Sequence, residues 1–144
     1  MRAHHTKNKG DFGLFQAQLD LVKKGYGILL PLTEHEAFDV VAYRSDTFIR
    51  IQVKYRRAVR GAIGVPFKSC WADRNGVHTT RMDKTAVDLV CVYCPDTDRC
   101  YYIDPKRFRV GVQLRVVEPR NGQSKGIWYA KDFLDIPRPL SSVG

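Results

Sequence analysis

The sequence predicts an α/β fold in a single domain, and three observations carry that prediction. Residues 11–24 place Phe12, Phe15, Leu19 and Val22 at helical spacing. Phe48-Ile49-Arg50-Ile51-Gln52-Val53-Lys54-Tyr55 alternates apolar and polar side chains with the period of two that a strand requires. Asp88 to Cys94 reads as a further strand, and 144 residues with 44% hydrophobic content support one compact domain with a real core rather than two domains.

Taken in order, the first helix is amphipathic and ends at Gly25, a natural C-terminal stop. Ile28 to Leu32 is a short apolar run suited to a buried strand. Phe38 to Tyr43 reads as a second strand, joined to Phe48–Tyr55 by a turn at Ser45-Asp46. Ala62 to Lys68 is expected to be extended, Asp73-Arg74-Asn75-Gly76 to turn, and Met82 to Val87 to form a short helix. Asp88–Cys94 and Cys100–Ile103 flank Pro95-Asp96-Thr97-Asp98 as a hairpin. Pro105 to Phe108 suits a brief helical turn, Val110 to Val117 another strand, and residues 137–144 a loosely ordered end. The chain has no repeat or low-complexity tract.

A turn symmetric about Ser45-Asp46 sets a register: Tyr43 opposite Phe48, Val41 opposite Arg50, Asp39 opposite Gln52. Asp39, Gln52 and Lys54 then share one sheet face. A carboxylate and an amide oxygen suit a hard cation such as Mg²⁺, with the Val53 carbonyl as a third oxygen ligand. Lys54 beside them can orient or deprotonate a water, or neutralise charge developing on phosphoryl oxygens. On spacing alone the same string also fits the solvated face of an ordinary edge strand.

The charge balance favours a polyanionic partner. Lys and Arg number 24 against 15 Asp and Glu, a formal charge of +9. Arg56, Arg57 and Arg60 follow the proposed site directly and suit phosphate contacts, which confer salt-dependent affinity and register rather than base reading. Arg50, Lys68 and Arg74 join them as candidate DNA-binding residues, and Lys106-Arg107-Phe108-Arg109 forms a second basic cluster.

Cysteine and histidine chemistry is not indicated. Cys91 and Cys94 have CxxC spacing but lie within a strand, where positions three apart face opposite ways, and no second pair accompanies them. His4, His5, His35 and His78 fall in terminal or loop segments. No segment approaches the roughly 20 apolar residues of a membrane span, and the N-terminus lacks a signal-peptide core, so a soluble cytoplasmic protein is expected.

Several segments together resemble the PD-(D/E)XK nuclease superfamily: Lys9-Gly10-Asp11-Phe12-Gly13, Pro31-Leu32-Thr33-Glu34, Ala37 to Tyr43, Ile51 to Tyr55, Ser69 to Asp73 and Asp88 to Pro95. Within it the chain is most similar to small cyanobacterial homing endonucleases encoded in group I introns, and more distantly to archaeal Holliday-junction resolvases. The resemblance implies a restriction-endonuclease-like core of about residues 8–105, a central mixed β-sheet with flanking helices, and a C-terminal extension of about 106–144.

Carried over position by position, it makes Asp39 the central metal-binding acid, Gln52 the second acidic position and Lys54 the catalytic lysine. Asp11 matches an acid, commonly Glu, on the first helix. Gln52 departs from the usual Asp or Glu, and the lost charge should weaken cation affinity and raise the Mg²⁺ requirement to millimolar levels. The long helix usual between the third and fourth core strands has no counterpart in residues 68–87, which suggests a remodelled, DNA-contacting segment.

The resemblance implies a Mg²⁺-dependent, site-specific double-stranded DNA endonuclease. A junction-selective resolvase and a catalytically inactive DNA-binding protein are the alternatives. Cutting both strands calls for a homo-oligomer, dimer or tetramer. Trp128, Tyr129, Phe133 and Leu134 are candidates either for its interface or for closing the core.

Overall fold

The computed structural model describes residues 6–118 and 126–137 and layers one helix and two sheets. Helix α1 (Thr6–Lys23) precedes β1 (Gly27–Leu29), β2 (Val40–Arg44), β3 (Thr47–Tyr55), β4 (Ala58–Val59) and β5 (Ala62–Pro66). Then come β6 (Lys68–Asp73), β7 (Gly76–Arg81), β8 (Leu89–Cys94), β9 (Arg99–Ile103), β10 (Gly111–Arg115) and β11 (Trp128–Tyr129). The His4-His5 pair, the side chain of Cys70 and most of the C-terminal tail lie outside the described residues.

The central sheet runs β1-β2-β3-β8-β9, antiparallel throughout except for the parallel β3–β8 pair, and is therefore mixed as expected. The hairpin register is the anticipated one: Tyr43 pairs with Phe48 and Val41 with Arg50. Ser45 takes a left-handed φ of 55°, which closes the two-residue loop. A second sheet runs β11-β10-β5-β4, and β6 with β7 forms a separate hairpin around Arg74-Asn75.

Each face of the central sheet carries its own core. On one side α1 covers Ile49 and Ile51 of β3 and Leu89 and Cys91 of β8. On the other side Val90, Val92, Tyr101 and Ile103 meet Ile63, Val65, Val112 and Leu114 of the second sheet, with Phe133 at the margin. Strand β8 is consequently buried at every position. Sheet on sheet thus replaces the second of the expected flanking helices, because residues 58–66 and 111–115 carry strand rather than helix patterning.

Helix α1 presents a different face from the expected one. Phe12, Phe15, Leu19 and Val22 are between 42% and 69% exposed, whereas Gly13, Ala17 and Leu21 face the sheet. The reason is close approach. A Cβ on Gly13 would sit 3.4 Å from Tyr55 Cβ, so the small residues Gly13 and Ala17 let the helix lie against β3. At the far end Asp20 accepts from the Tyr102 hydroxyl at 2.6 Å and pairs with Lys24 at 3.1 Å, tying the last turn to β9.

Other expectations are corrected in detail. Ile28–Leu32 is not a buried strand: β1 is a three-residue edge, and Leu30 and Leu32 are exposed. The extended run from Ala62 is divided between β5, to Pro66, and β6, from Lys68, while Phe67 N–H still bonds to Val110 O and carries the β5–β10 pairing one step further. Met82–Val87 is a turn rather than a helix, because the Asp83 carboxylate accepts from Thr85 N–H and Oγ1–H and diverts the backbone. His78 lies in β7 instead of a loop. Phe133 and Leu134 close the second core, whereas Trp128 remains 43% exposed. Cys91 and Cys94 fall in opposite cores, and burial pushes the Cys91 thiol well up.

The reversed helix face is checked by mutation: Leu21→Ala should cost about 2–5 kcal/mol of stability. Leu19→Ala should cost under about 1 kcal/mol, since its side chain already meets water. Urea unfolding at concentrations low enough for a monomer measures both; equal losses would contradict the orientation.

Candidate active site

Strand β2 begins at Val40, and the site lies where its pairing with β3 runs out. Asp39 continues the ladder there with side chain as well as backbone. Its N–H donates to Ile51 O at 2.9 Å, and its Oδ2 accepts from Val53 N–H at 2.8 Å. This position holds the carboxylate half-buried. Burial raises its pKa above the ordinary value, against the opposing pull of the Val53 N–H and the Lys54 charge.

Gln52 and Lys54 share their face of β3 with Arg50, opposite the α1 side. Gln52 Oε1 is buried and has no hydrogen-bond partner among the described residues. An unsatisfied buried oxygen is costly, and a cation relieves that cost as well as a donor does. The Val53 carbonyl points toward the same strand edge as its N–H, hence toward Asp39, because N–H and C=O of one strand residue share an edge. Asp39, Gln52 Oε1 and the Val53 carbonyl thus offer a hard cation an all-oxygen set. Among the described residues no group of three or more His, Cys, Asp or Glu side chains could hold a metal, so any site here draws on amide and backbone oxygens.

The neighbouring rungs are occupied by partners that sequence reasoning missed. Arg50 is engaged by Asp88: Nη2 meets Oδ1 and Nε meets Oδ2, each at 3.1 Å, while the Arg50 backbone N–H reaches Oδ2 at 2.8 Å. Burial pushes Asp88 up, but these bonds and the guanidinium charge outweigh it and leave the carboxyl below its usual value. Arg50 therefore acts in the structure as a clamp between β3 and β8. The available signal was an acid opening the strand that becomes its parallel neighbour. On the other side Lys54 Nζ donates to Lys68 O at 3.3 Å, anchored by the start of β6.

The remaining predicted residues divide. Asp11 is exposed on α1, on the opposite side of the sheet from Gln52 and Lys54, and no hydrogen bond or ion pair among the described residues joins it to them. Arg57 pairs with Asp96 at 3.1 Å on the surface. Arg60 is exposed in a tight turn with φ 53°, and its carbonyl accepts from Arg115. Arg74 is exposed at the tip of the β6–β7 hairpin. Arg56 donates to Gly64 O at 2.9 Å and, with Lys54, Lys68 and Arg115, lines an open groove of about 1180 Å³ that has no acidic residue in its lining.

Comparison with known proteins agrees with this architecture. The family model described as PD-(D/E)XK endonuclease matches residues 4–136. The fold is similar to that of the bacterial homing endonuclease I-Ssp6803I, with a TM-score of 0.72 at 18% identity, over 90% of this chain and 88% of that one. The Holliday junction resolvase Hjc of Archaeoglobus fulgidus aligns at a TM-score of 0.47 and 13% identity, over 74% of this chain and 84% of that one. No curated protein matches significantly in sequence. With the family model spanning nearly the whole chain, over the helix, the mixed sheet and the Asp39–Gln52–Lys54 face alike, the chain belongs to the PD-(D/E)XK endonuclease family.

Proposed function

We propose that this endonuclease is a Mg²⁺-dependent, site-specific enzyme of the homing type that hydrolyses phosphodiester bonds in double-stranded DNA. The observation that carries the reading is the buried, unpartnered Gln52 Oε1 beside the Asp39 carboxylate, with Lys54 next on the same face. The acid-free basic groove leading from Lys54 supports DNA as substrate. The homing assignment rests on the sequence resemblance and on the likeness of fold to I-Ssp6803I.

In this reading Asp39, Gln52 Oε1 and the Val53 carbonyl hold the cation, and Asp11, on the helix side of the sheet, takes no part. Bound Mg²⁺ supplies Lewis acidity at the phosphoryl oxygen. Asp39 contributes the charge that attracts the cation, and its bond to Val53 N–H fixes the carboxylate in one orientation. Lys54, steadied by the Lys68 carbonyl, places its ammonium where charge develops on the phosphoryl oxygens. Gln52 lowers the negative charge of the site, consistent with a millimolar Mg²⁺ requirement. Arg56, Lys68, Arg60 and Arg74 hold the phosphate backbone; Arg57 joins them after exchanging Asp96 for phosphate.

Cutting both strands requires two sites, and we assign the pairing surface to the outward stripe of α1. Phe12, Phe15, Leu19 and Val22 recur at the three- and four-residue spacing of a helix–helix seam, and all are exposed. This places assembly on the helix rather than on the C-terminal aromatics.

Asp39→Asn and Lys54→Ala should each abolish cleavage of duplex DNA in Mg²⁺ while leaving gel-shift affinity within a few-fold. Because folding raises the Asp39 pKa, burying its carboxyl costs nothing below the ordinary carboxylate pKa; the cost grows as pH rises from there to the folded value and is complete above it. Asp39→Asn without divalent cations should therefore melt no lower than wild type at neutral pH, and Mg²⁺ should raise the melting temperature of wild type only. Robust cleavage by Asp39→Asn would sink the assignment, and cleavage confined to four-way junctions would favour a resolvase.

Affinity should fall linearly on a log–log plot against salt, and Arg56→Ala should reduce the slope by roughly one without altering sequence preference. A changed preference at constant slope would contradict phosphate contact.

Light scattering should find at least two subunits per particle, and Leu19→Asp should lower that mass. A monomer both free and on DNA, yielding only nicks, would rule out the paired arrangement.

A further inference from the structure

We infer that the outer face of the second sheet reads base edges in the DNA, with Gln113 as a specificity-determining residue and Arg115 beside it. The inference rests on the duplex-endonuclease reading above and adds the surface that selects the sequence.

Gln113 lies at the middle of β10 between Val112 and Leu114, both packed in the second core, so its side chain points outward and is exposed. The positions around it are bare. Gly64 is directly opposite on β5, with Pro66 two residues along, and Gly111 lies two residues away on β10 itself. The Gln113 amide lies over Gly64, 3.6 Å from where a Cβ would stand, while a Cβ on Gly111 would come within 2.8 Å of Val65 O. One long amide thus rises from a strip of nearly naked backbone. Gly111 is accounted for by the Val65 carbonyl, whereas Gly64, at the centre of β5, is the kind of position where another molecule can come close.

Charge and continuity identify that molecule. The strip belongs to the groove that holds Lys54, Arg56, Lys68 and Arg115, and no carboxylate lines it. An ordinary solvated sheet face would mix charges of both signs. The exposed Gln113 amide makes no hydrogen bond among the described residues, and beside it the Arg115 guanidinium is positioned by a 3.3 Å bond from Nη1 to Arg60 O. A twisted pair of strands fits the major groove, where a Gln amide can donate and accept at once on adenine N6 and N7, and an Arg fork can reach guanine O6 and N7. Because the groove reaches Lys54, reading and cutting occur along one continuous DNA path.

The test is selection of binding sites from a randomised duplex library by wild-type protein, Gln113→Ala and Gln113→Glu, followed by sequencing. Wild type should enrich a defined sequence. Gln113→Ala should lose preference at one or two adjacent base pairs, with discrimination there falling about 10- to 100-fold, at an unchanged salt slope. Gln113→Glu, an acceptor only, should shift that preference toward cytosine. Identical preferences at every position in all three proteins would overturn the inference while leaving the endonuclease reading intact. Failure of wild type to enrich any duplex sequence would overturn both.

Discussion

The site depends on one constraint: β3 is paired along both edges and packed on one face. Its edges are taken by β2 and by the parallel strand β8. One face is covered by α1, while the other carries Arg50, Gln52 and Lys54, the last of which lines the groove. A strand held in this way can carry polar side chains on one face without losing its register, because a slip by one residue would exchange Ile49 and Ile51 for Arg50 and Gln52 in the core. The Arg50–Asp88 clamp follows from that register, and Asp39 meets β3 at Ile51 O and Val53 N–H. The acid at Asp39 tolerates its half-buried place because it supplies the acceptor that β2 no longer supplies to Val53.

The second sheet explains how so small a chain sets the polar face of β3 beside an open basic groove. A helix over the lower face of the central sheet would have covered it with bulky side chains. A thin sheet buries Val90 and Val92 with its inner residues and leaves its outer residues beside Lys54. The same economy governs α1, where Gly13 and Ala17 bring the helix close and turn its large apolar residues to solvent.

Much of the central sheet was legible because period-two alternation and a two-residue turn determine register directly, as with Tyr43–Phe48 and Val41–Arg50. For Asp39 the ladder ends one residue short, at Val40–Ile51, and its bonds go to Ile51 O and Val53 N–H on either side of Gln52. The inward face of α1 was not legible, because apolar size suggested Phe12 and Phe15 whereas close packing on Tyr55 selected Gly13. The turn at Asp83 was hidden for a related reason: side-chain capping of Thr85 overrides helical propensity only once Asp88 is anchored on Arg50. Nor could spacing show that the groove beside Lys54 would be free of acids, since Arg56, Lys68 and Arg115 come from strands far apart in sequence.

The parallel β3–β8 pair also sets the order in which the chain can fold. The β2–β3 and β8–β9 hairpins close short loops, whereas β3 and β8 meet only after the chain between Tyr55 and Leu89 has looped back with β4, β5 and the β6–β7 hairpin inside it. Closing that long loop costs entropy before any contact repays it. A hairpin carrying Asp39, Gln52 and Lys54 can therefore form early, while the Asp88 clamp and the groove come with the final closure. The polar face of β3 thus comes from a local hairpin, whereas the groove that borders it is completed by strands from the far end of the chain.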